Sequence, residues 1–369
     1  MKKLHRLYLI ALIGTVAASA AWATGGAEMA EQAASSELRV AISTEPWDLD
    51  PAIRTDFASE YIIKNVYDPL IEIDGNNQVT TQFAITRDWE WKNNGMTIVL
   101  YLREGIKFHD GSTLTASDVK YNFEWMLDED NNSPWRAQVG PVESLTIVDD
   151  YTLDVTFSEP FADAVMMWST AFYGIVPENS HGVLSEEKGT AGKAGTELSR
   201  NPVGSGPYKF VEWVSGSQVV LERFDDYWVD GVPAVDRVVF EFIGDTAAKE
   251  AALISGSVDI VDSIPFRDFT TLSDLPDVVT KRVPGTLLQI MYLNLSNPPL
   301  GVADGDQENK EAIDRALHVR KFLYHAIDRQ AIADDIFYGM ARVARGPWYP
   351  DSEWTSPKLK EMTLYDPDL

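Results

Sequence analysis

Residues 102–119 read LREGIKFHDGSTLTASDV and combine three local signals in one short stretch. The apolar alternation that ends at Leu102 predicts a strand over residues 97–102. Asp110-Gly111 is a turn dipeptide, and Thr115 followed by Asp118 is the pattern of a capped helix start. A strand, a tight turn and a helix in immediate succession indicate a mixed α/β chain.

His109-Asp110, in the middle of this stretch, is the only adjacent His–acid pair in the chain and could act as a general base with its acid. The alternative is a turn in which the Asp side chain accepts hydrogen bonds from backbone amides, and we favour it. Residues 201–208, NPVGSGPY, offer a similar choice between an anion-binding loop and a rigid turn. We favour the turn here too, because no basic residue follows at phosphate-loop spacing.

Hydrophobic periodicity on both sides of this stretch predicts further strands and helices without a regular βαβ rhythm. The predicted strands are residues 37–43, 145–148, 152–157, 208–213, 219–223, 237–243, 258–262, 278–283 and 287–295. The predicted helices are residues 58–70, 161–172, 245–255 with Ala248, Ala252 and Leu253 inward, 311–327 and 328–338. Residues 190–200 are predicted to be a surface loop. The class is therefore mixed α/β or α+β.

The composition excludes several function classes. The chain has 369 residues, 45% of them hydrophobic, and a formal net charge of −26, which argues against a nucleic-acid partner. The absence of Cys excludes disulfides, thiol catalysis and Cys-ligated metal centres. The 5 His residues do not fall in a metal-ligand spacing, so no protein-built metal site is predicted.

The N-terminus has the pattern of an export signal. Basic residues at positions 2, 3 and 6 precede an apolar run over residues 7–18, and Ala21-Trp22-Ala23 is a cleavage pattern. We therefore predict a signal peptide over residues 1–23, a flexible leader over residues 24–36 and a periplasmic location. Without Cys, the chain is not predicted to be a lipoprotein.

Several separated stretches, residues 102–119 among them, carry a family resemblance. The others are residues 45–51 (EPWDLDP), 201–210 (NPVGSGPYKF), 226–228 (DYW), 255–260 (SGSVDI) and 319–329 (VRKFLYHAIDR). In this order and spacing, the set resembles the extracytoplasmic solute-binding proteins of ABC transporters, family 5, the peptide/nickel/opine-binding class. The resemblance extends over roughly residues 38–345.

The resemblance implies a two-lobed periplasmic-binding-protein fold of the type II-like, large class with an inserted extra domain. Residues 37–70 and 200–281 would form lobe I, residues 71–199 the inserted domain and residues 282–369 lobe II. Members of the family continue beyond the position that corresponds to the last residue here. We therefore expect the second lobe to be incomplete and the sequence to be a fragment.

The resemblance also implies a ligand cleft between the lobes, bordered by the loop that follows the first strand. The predicted ligand-binding residues are Glu45, Pro46, Trp47, Asp48, Tyr67, Gln289, Tyr292 and Asn294. For Tyr67 and Tyr292, packing in a hydrophobic core is the alternative.

The function that the resemblance implies is capture of a solute in the periplasm and its delivery to an ABC permease in the inner membrane, with no catalysis and no cofactor. A peptide is the first choice of solute, while an oligosaccharide, which abundant Trp and Tyr would suit, and a nickel chelate stay open. The competing class is a secreted hydrolase with Asp48/Asp50 or Asp149/Asp150 as its acid pair. We predict a monomer.

Overall fold

The computed structural model describes residues 36–74, 78–172, 174–182, 196–282, 288–346 and 355–366. The predicted signal peptide and all but the last residue of the predicted leader lie outside the described residues. The strands in the described part are β1 (Glu37–Ile42), β2 (Glu72–Ile73), β3 (Val79–Thr80), β4 (Thr86–Lys92), β5 (Thr97–Leu102), β6 (Val142–Asp149), β7 (Thr152–Phe157), β8 (Tyr208–Val214), β9 (Gln218–Arg223), β10 (Arg237–Phe242) and β11 (Ile260–Val261). The helices are α1 (Phe57–Val66), α2 (Ala116–Leu127), α3 (Arg136–Val139), α4 (Ala164–Ala171), α5 (Thr246–Ser255), α6 (Phe266–Ser273), α7 (Lys310–Ala326), α8 (Arg329–Ala331) and α9 (Pro357–Glu361).

A mixed five-stranded sheet runs in the order β11-β1-β10-β9-β8. Strand β1 lies parallel to both β10 and β11, whereas β9 pairs antiparallel with β10 and with β8. Leu38, Val40 and Ile42 share one face of β1, and Ile62 and Ile63 of α1 pack into the same apolar cluster. The predicted first strand is confirmed, and its apolar face supplies one hydrophobic core.

A second core belongs to a four-stranded antiparallel sheet in the order β4-β5-β7-β6. Ile98 and Leu100 of the central strand β5 are fully buried, and Phe123 of α2 and Trp168 of α4 pack in the same cluster. The β6–β7 hairpin confirms the two strands that were predicted around Asp149. The two cores confirm the mixed α/β class, while the exact domain boundaries stay a prediction.

The start of α2 has the predicted capping arrangement. The side chain of Thr115 accepts a hydrogen bond from the Ser117 amide, and the Asp118 carboxylate accepts one from the Thr115 amide at 2.8 Å. Just before it, the Asp110 carboxylate accepts hydrogen bonds from the amide and the hydroxyl of Ser112 at 2.9 and 2.6 Å. These bonds confirm that Asp110 serves a turn.

The glycines of the NPVGSGPY stretch allow a close backbone approach to the end of α1. The Gly206 amide donates a hydrogen bond to the Val66 carbonyl at 2.9 Å. A Cβ atom on Gly206 would lie 2.6 Å from the Val66 carbonyl carbon and 2.7 Å from the Tyr67 nitrogen, both backbone atoms. No residue larger than glycine fits at position 206 without a shift of the backbone. The stretch is therefore a rigid turn packed against the end of α1, which is the alternative that we favoured.

Four predictions of local structure were wrong. Over their described residues, the predicted strands 278–283 and 287–295 are not formed, because no strand in the described part of the chain lies beside them to complete a ladder. In α5 the side chain of Ala248 is exposed and that of Lys249 is buried instead. The predicted surface loop 190–200 ends in buried residues, Thr196 and Ser199 among them.

Near the C-terminal end of the chain, the predicted helix over residues 311–327 is confirmed as α7. The following prediction holds at its start, since Asp328 caps α8 by accepting a hydrogen bond from the Ala331 amide at 2.9 Å. The chain then forms a π-helical turn over Ile332–Ile336, and Gly339 follows with a φ of +67°. None of the helices in the described residues is long and apolar enough to cross a membrane.

Candidate functional site

The loop over residues 43–56 follows β1 at the end where three parallel strands terminate together. Strands β1, β10 and β11 all run in the same direction, so their carboxyl ends meet at one edge of the sheet. In open α/β sheets, ligands bind outside the carboxyl ends of the parallel strands. This edge is therefore the candidate functional site, and we call residues 43–56 the site loop.

A buried ion pair fixes the first residue of the site loop. The Lys249 ammonium, 3% exposed, donates hydrogen bonds to Asp262 at 2.5 Å and to the Ser43 hydroxyl at 2.6 Å. The Asp262 carboxylate also accepts a hydrogen bond from the Ser43 amide at 2.9 Å. Burial opposes ionisation of Asp262, but the bonds from Lys249 and Ser43 outweigh it and hold its pKa below the usual range. The loop thus leaves the sheet in one defined direction.

Glu45 is held by a second set of bonds, from the far side of the same sheet. Its carboxylate accepts hydrogen bonds from the Trp213 indole nitrogen at 2.8 Å and from the Gly216 amide at 3.0 Å. The guanidinium carbon of Arg200 lies over the face of the Trp213 ring, 3.4 Å from its centroid. One indole therefore carries an anion at its edge and a cation on its face.

Two buried acids, Asp48 and Asp50, lie in the middle of the site loop. The Asp48 carboxylate accepts a hydrogen bond from the Asp50 amide at 2.7 Å. Burial, and then the charge of Asp50, raise the pKa of Asp48 to about 7. Burial also acts on Asp50, but the nearby His181 and the bonds from Thr196 and Ala52 lower its pKa below the usual value.

His181 connects Asp50 to the second core. Its Nε2 atom lies 3.5 Å from the Asp50 carboxylate, and its Nδ1 atom shares a hydrogen bond of 2.8 Å with the Tyr121 hydroxyl. The ring stacks on Trp125, with 4.1 Å between the centroids and 12° between the planes. Since Tyr121 and Trp125 belong to α2, the site loop is tied to both sheets. His181 was not predicted as a site residue. Its role depends on contacts with Asp50, Tyr121 and Trp125, which lie far from it in the sequence, so no local pattern indicates it.

The structure brings four of the predicted ligand-binding residues together in the site loop. Pro46 and Asp48 are buried, Glu45 is half-buried, and the Trp47 side chain is 46% exposed. Tyr67 is 1% exposed in the first core, and its hydroxyl donates a hydrogen bond to the Leu49 carbonyl at 3.2 Å. Tyr67 therefore packs in the core and supports the site loop through its hydrogen bond to Leu49.

The remaining three predicted residues lie in the segment over residues 288–294. Gln289, Asn294 and Tyr292 are exposed, the last to 88%. Within the described residues, no hydrogen bond or ring contact joins them to the site loop, and Asn294 accepts only from the Ser296 amide of its own segment. Their role in ligand binding stays a prediction.

The candidate catalytic groups are engaged in structural bonds. The Gly204 amide donates to His109 Nδ1 at 3.3 Å, which makes Nε2 the protonated nitrogen, and Nε2 donates to the Gly206 carbonyl at 2.9 Å. Burial lowers the pKa of His109 to about 4. Asp149 accepts a hydrogen bond from the Tyr151 amide in the β6–β7 turn. The described residues also contain no group of three His, Asp or Glu placed to hold a metal ion.

Comparison with known proteins identifies the family. The model of the bacterial extracellular solute-binding proteins, family 5 Middle, matches residues 81–369. The glutathione-binding protein GsiB of Pectobacterium atrosepticum is 27% identical over 334 residues, which are 90% of this chain and 60% of the relative. GsiB of Escherichia coli K12 is 25% identical over 85% of this chain and 56% of its own length. The chain thus spans about 60% of the length of the curated relatives it matches.

Solved structures of similar proteins share the fold. DppA from Helicobacter pylori in complex with the peptide STSA superposes with a TM-score of 0.74 and 24% identity, over 90% of this chain and 64% of that protein. The oligopeptide-binding protein AppA from Bacillus subtilis, in complex with a nonapeptide, has a TM-score of 0.67 and 27% identity, over 87% of this chain and 59% of AppA.

Proposed function

Since the chain belongs to family 5 of the bacterial extracellular solute-binding proteins, we propose that it is the solute-capturing component of an ABC importer. In this role it binds a peptide outside the cytoplasm and delivers it to a permease in the membrane. Two similarities support the choice of a peptide. The GsiB relatives are named for binding glutathione, itself a tripeptide, and the AppA structure holds a nonapeptide at 27% identity.

The exposed indole of Trp47 on a firmly held loop is the observation that carries the proposal. On either side of it, Glu45 is fixed by Trp213 and Gly216, and Asp48 is buried. A side chain held on a rigid backbone loses little conformational entropy when a solute packs on it, and an aromatic ring supplies a large contact area. The loop supplies a preformed wall for a bound solute at the edge of the sheet where ligands bind.

A binding function also agrees better with the acids of the site loop than hydrolysis does. Asp48 and Asp50 are both buried, and their carboxylates accept hydrogen bonds from loop amides and from Thr196. An acid pair that serves hydrolysis must reach the scissile bond of the substrate. We propose that these acids shape the loop and that the solute leaves the protein chemically unchanged.

Calorimetric titration of the full chain tests the proposal. The panel contains glutathione, trialanine, a nonapeptide, a linear oligosaccharide and the nickel complex of L-histidine. We expect the peptides to bind and the Trp47→Ala variant to bind them about fivefold to thirtyfold more weakly, since an aromatic contact of this kind is worth roughly 1–2 kcal/mol. Val148→Ala, which trims a 58% exposed side chain on β6, is the matched control and should bind like the unaltered chain.

Two results would contradict the proposal. Saturable binding of the oligosaccharide or of the nickel complex, without peptide binding, would assign a different solute class within the family. Cleavage products of a peptide in the recovered ligand, seen by mass spectrometry with the unaltered chain, would show an enzyme.

A further inference from the structure

Among the described residues, Arg200 is a cation held in place without a direct ion-pair partner. Its guanidinium carbon lies 3.4 Å from the Trp213 ring centroid, a distance at which the cation rests on the face of the ring. Stacking occupies the flat face of a guanidinium and leaves the N–H donors at its edge available. Within the described part of the chain, Arg200 makes no ion pair and donates no side-chain hydrogen bond.

The backbone that carries Arg200 is fixed to the site loop. The Ser199 carbonyl accepts a hydrogen bond from the Leu49 amide at 3.2 Å, and the Thr196 hydroxyl donates one to the Asp50 carboxylate. Thr196 and Ser199 are fully buried, and the Thr196 amide donates to the Ser199 hydroxyl at 2.8 Å. Residue 200 therefore keeps a constant position beside the loop, and its side chain is preorganised on Trp213.

The acids near Arg200 are already occupied. Glu45 accepts hydrogen bonds from Trp213 and Gly216, and Asp48 is buried and accepts one from the Asp50 amide. Burial lowers the pKa of Arg200, and the charges of Glu45 and Asp48 offset this only in part. A partly desolvated cation whose neighbours do not bond to it has lost hydration without full compensation, and an arriving anion supplies that compensation.

We propose that Arg200 is a specificity-determining residue that binds a carboxylate of the solute. A guanidinium edge matches a carboxylate with two parallel hydrogen bonds, which a neutral sugar hydroxyl does not reproduce. The solute class is therefore peptides or amino-acid conjugates that carry a free carboxylate. This inference rests on the proposed function, because it assumes that the solute lies against the site loop.

The test compares trialanine with its C-terminal amide, titrated into the full chain and into Arg200→Gln, Arg200→Lys and Arg223→Gln. Arg223 is an exposed arginine of β9 that pairs with Asp225 and Asp236, so its variant controls for the loss of one positive charge. We expect the unaltered chain to prefer the free acid by roughly tenfold to a hundredfold, the range for hydrogen bonds to a charged group. Arg200→Gln should lose that preference and leave the affinity for the amide within about twofold.

The other variants sharpen the result. Arg200→Lys, which keeps the charge and loses the planar fork, should retain only part of the preference for the acid. Arg223→Gln should retain all of it. Far-ultraviolet circular dichroism and the melting temperature of each variant check that folding is unchanged.

The outcomes separate this inference from the proposed function. If the unaltered chain binds acid and amide equally, or if Arg200→Gln weakens both equally, Arg200 is no carboxylate receptor and the peptide-binding function stands. If no peptide of the panel binds the unaltered chain while the oligosaccharide or the nickel complex does, both the inference and the choice of a peptide fail.

Discussion

Asp68 offers a sharp test of how a buried charge at the end of α1 controls stability. Its carboxylate accepts three hydrogen bonds of 2.9 Å, from the Ser205 hydroxyl, the Tyr227 hydroxyl and the Trp228 indole nitrogen. Burial is the largest influence on the pKa of Asp68, and it raises this pKa to about 7 even though the three hydrogen bonds act in the opposite direction. The acid joins the end of α1 to two later segments of the chain.

The raised pKa makes stability depend on pH in a defined direction. The folded state holds a proton on Asp68 that the unfolded state has released, so the free energy of unfolding falls as pH rises from about 4 to about 7. With a folded pKa of about 7 and an unfolded pKa of about 3.8, the loss between pH 5 and pH 8 is about 3 kcal/mol. Asp48 acts in the same direction, whereas His109, whose pKa is lowered, acts in the opposite one.

Asp68→Asn isolates this contribution from the others. The amide oxygen can accept hydrogen bonds from Ser205 and Trp228, and the amide NH₂ can donate to the Tyr227 hydroxyl oxygen, so all three contacts are kept. Urea denaturation of both proteins at pH 5 and pH 8 gives their difference at each pH, in which the titrations of Asp48 and His109 cancel. We expect that difference to shift by about 3 kcal/mol in favour of the variant between the two pH values.

The exposed Asp230→Asn, measured at the same two pH values, is the matched control for the removal of one carboxylate. Parallel pH curves for the unaltered chain and Asp68→Asn would refute the reasoning. They would mean that the three donors keep the carboxylate ionised throughout, with no pKa shift into this range.

Three further predictions concern packing, the ion pair and export. Gly206→Ala should lower the free energy of unfolding by about 1–3 kcal/mol, measured by urea denaturation, because the new methyl group meets backbone atoms at 2.6–2.8 Å; Gly244→Ala, with its nearest contact at 3.3 Å, should change it less. Lys249→Met should lower the free energy of unfolding by about 3–5 kcal/mol, because it leaves the Asp262 charge unpaired, and adding Asp262→Asn should restore part of that loss. An unchanged free energy of unfolding in Lys249→Met would contradict this prediction. N-terminal sequencing of exported protein should begin at Thr24, and a start at Met1 would contradict the predicted cleavage.

The parts of the fold that were predictable are those whose causes lie within a few residues. The Thr115–Asp118 capping box, the Asp110 turn and the β6–β7 hairpin each depend on side chains that reach their own backbone or the next strand. Helix α7 carries its own period of apolar residues and its own Asn309 cap. Such elements form in the same way wherever the rest of the chain lies.

The segment over residues 288–295 shows where local reasoning fails. Leu288, Ile290 and Tyr292 alternate as in a strand, yet a strand is completed by hydrogen bonds to a neighbour that the pattern does not specify. The prediction for Lys249 was wrong for the opposite reason, because a local pattern indicated exposure where distant residues cause burial. A lysine in an alanine-rich helix predicts an exposed face, and only Asp262 and Ser43, brought together by the parallel pairing of β1 and β11, make its burial favourable.

The candidate site combines both situations, which explains what the sequence could and could not predict about it. The loop itself was predictable, because two prolines and three acids directly after a strand exclude regular structure over residues 45–51. Its chemistry was not, since Trp213 reaches Glu45 only through the antiparallel pairing of β8 and β9, and the buried Thr196–Asp50 bond holds the segment that places Arg200 on Trp213. Residues about 150 positions apart share no period or spacing. A sequence can therefore predict where such a site lies without predicting which charged side chains line it.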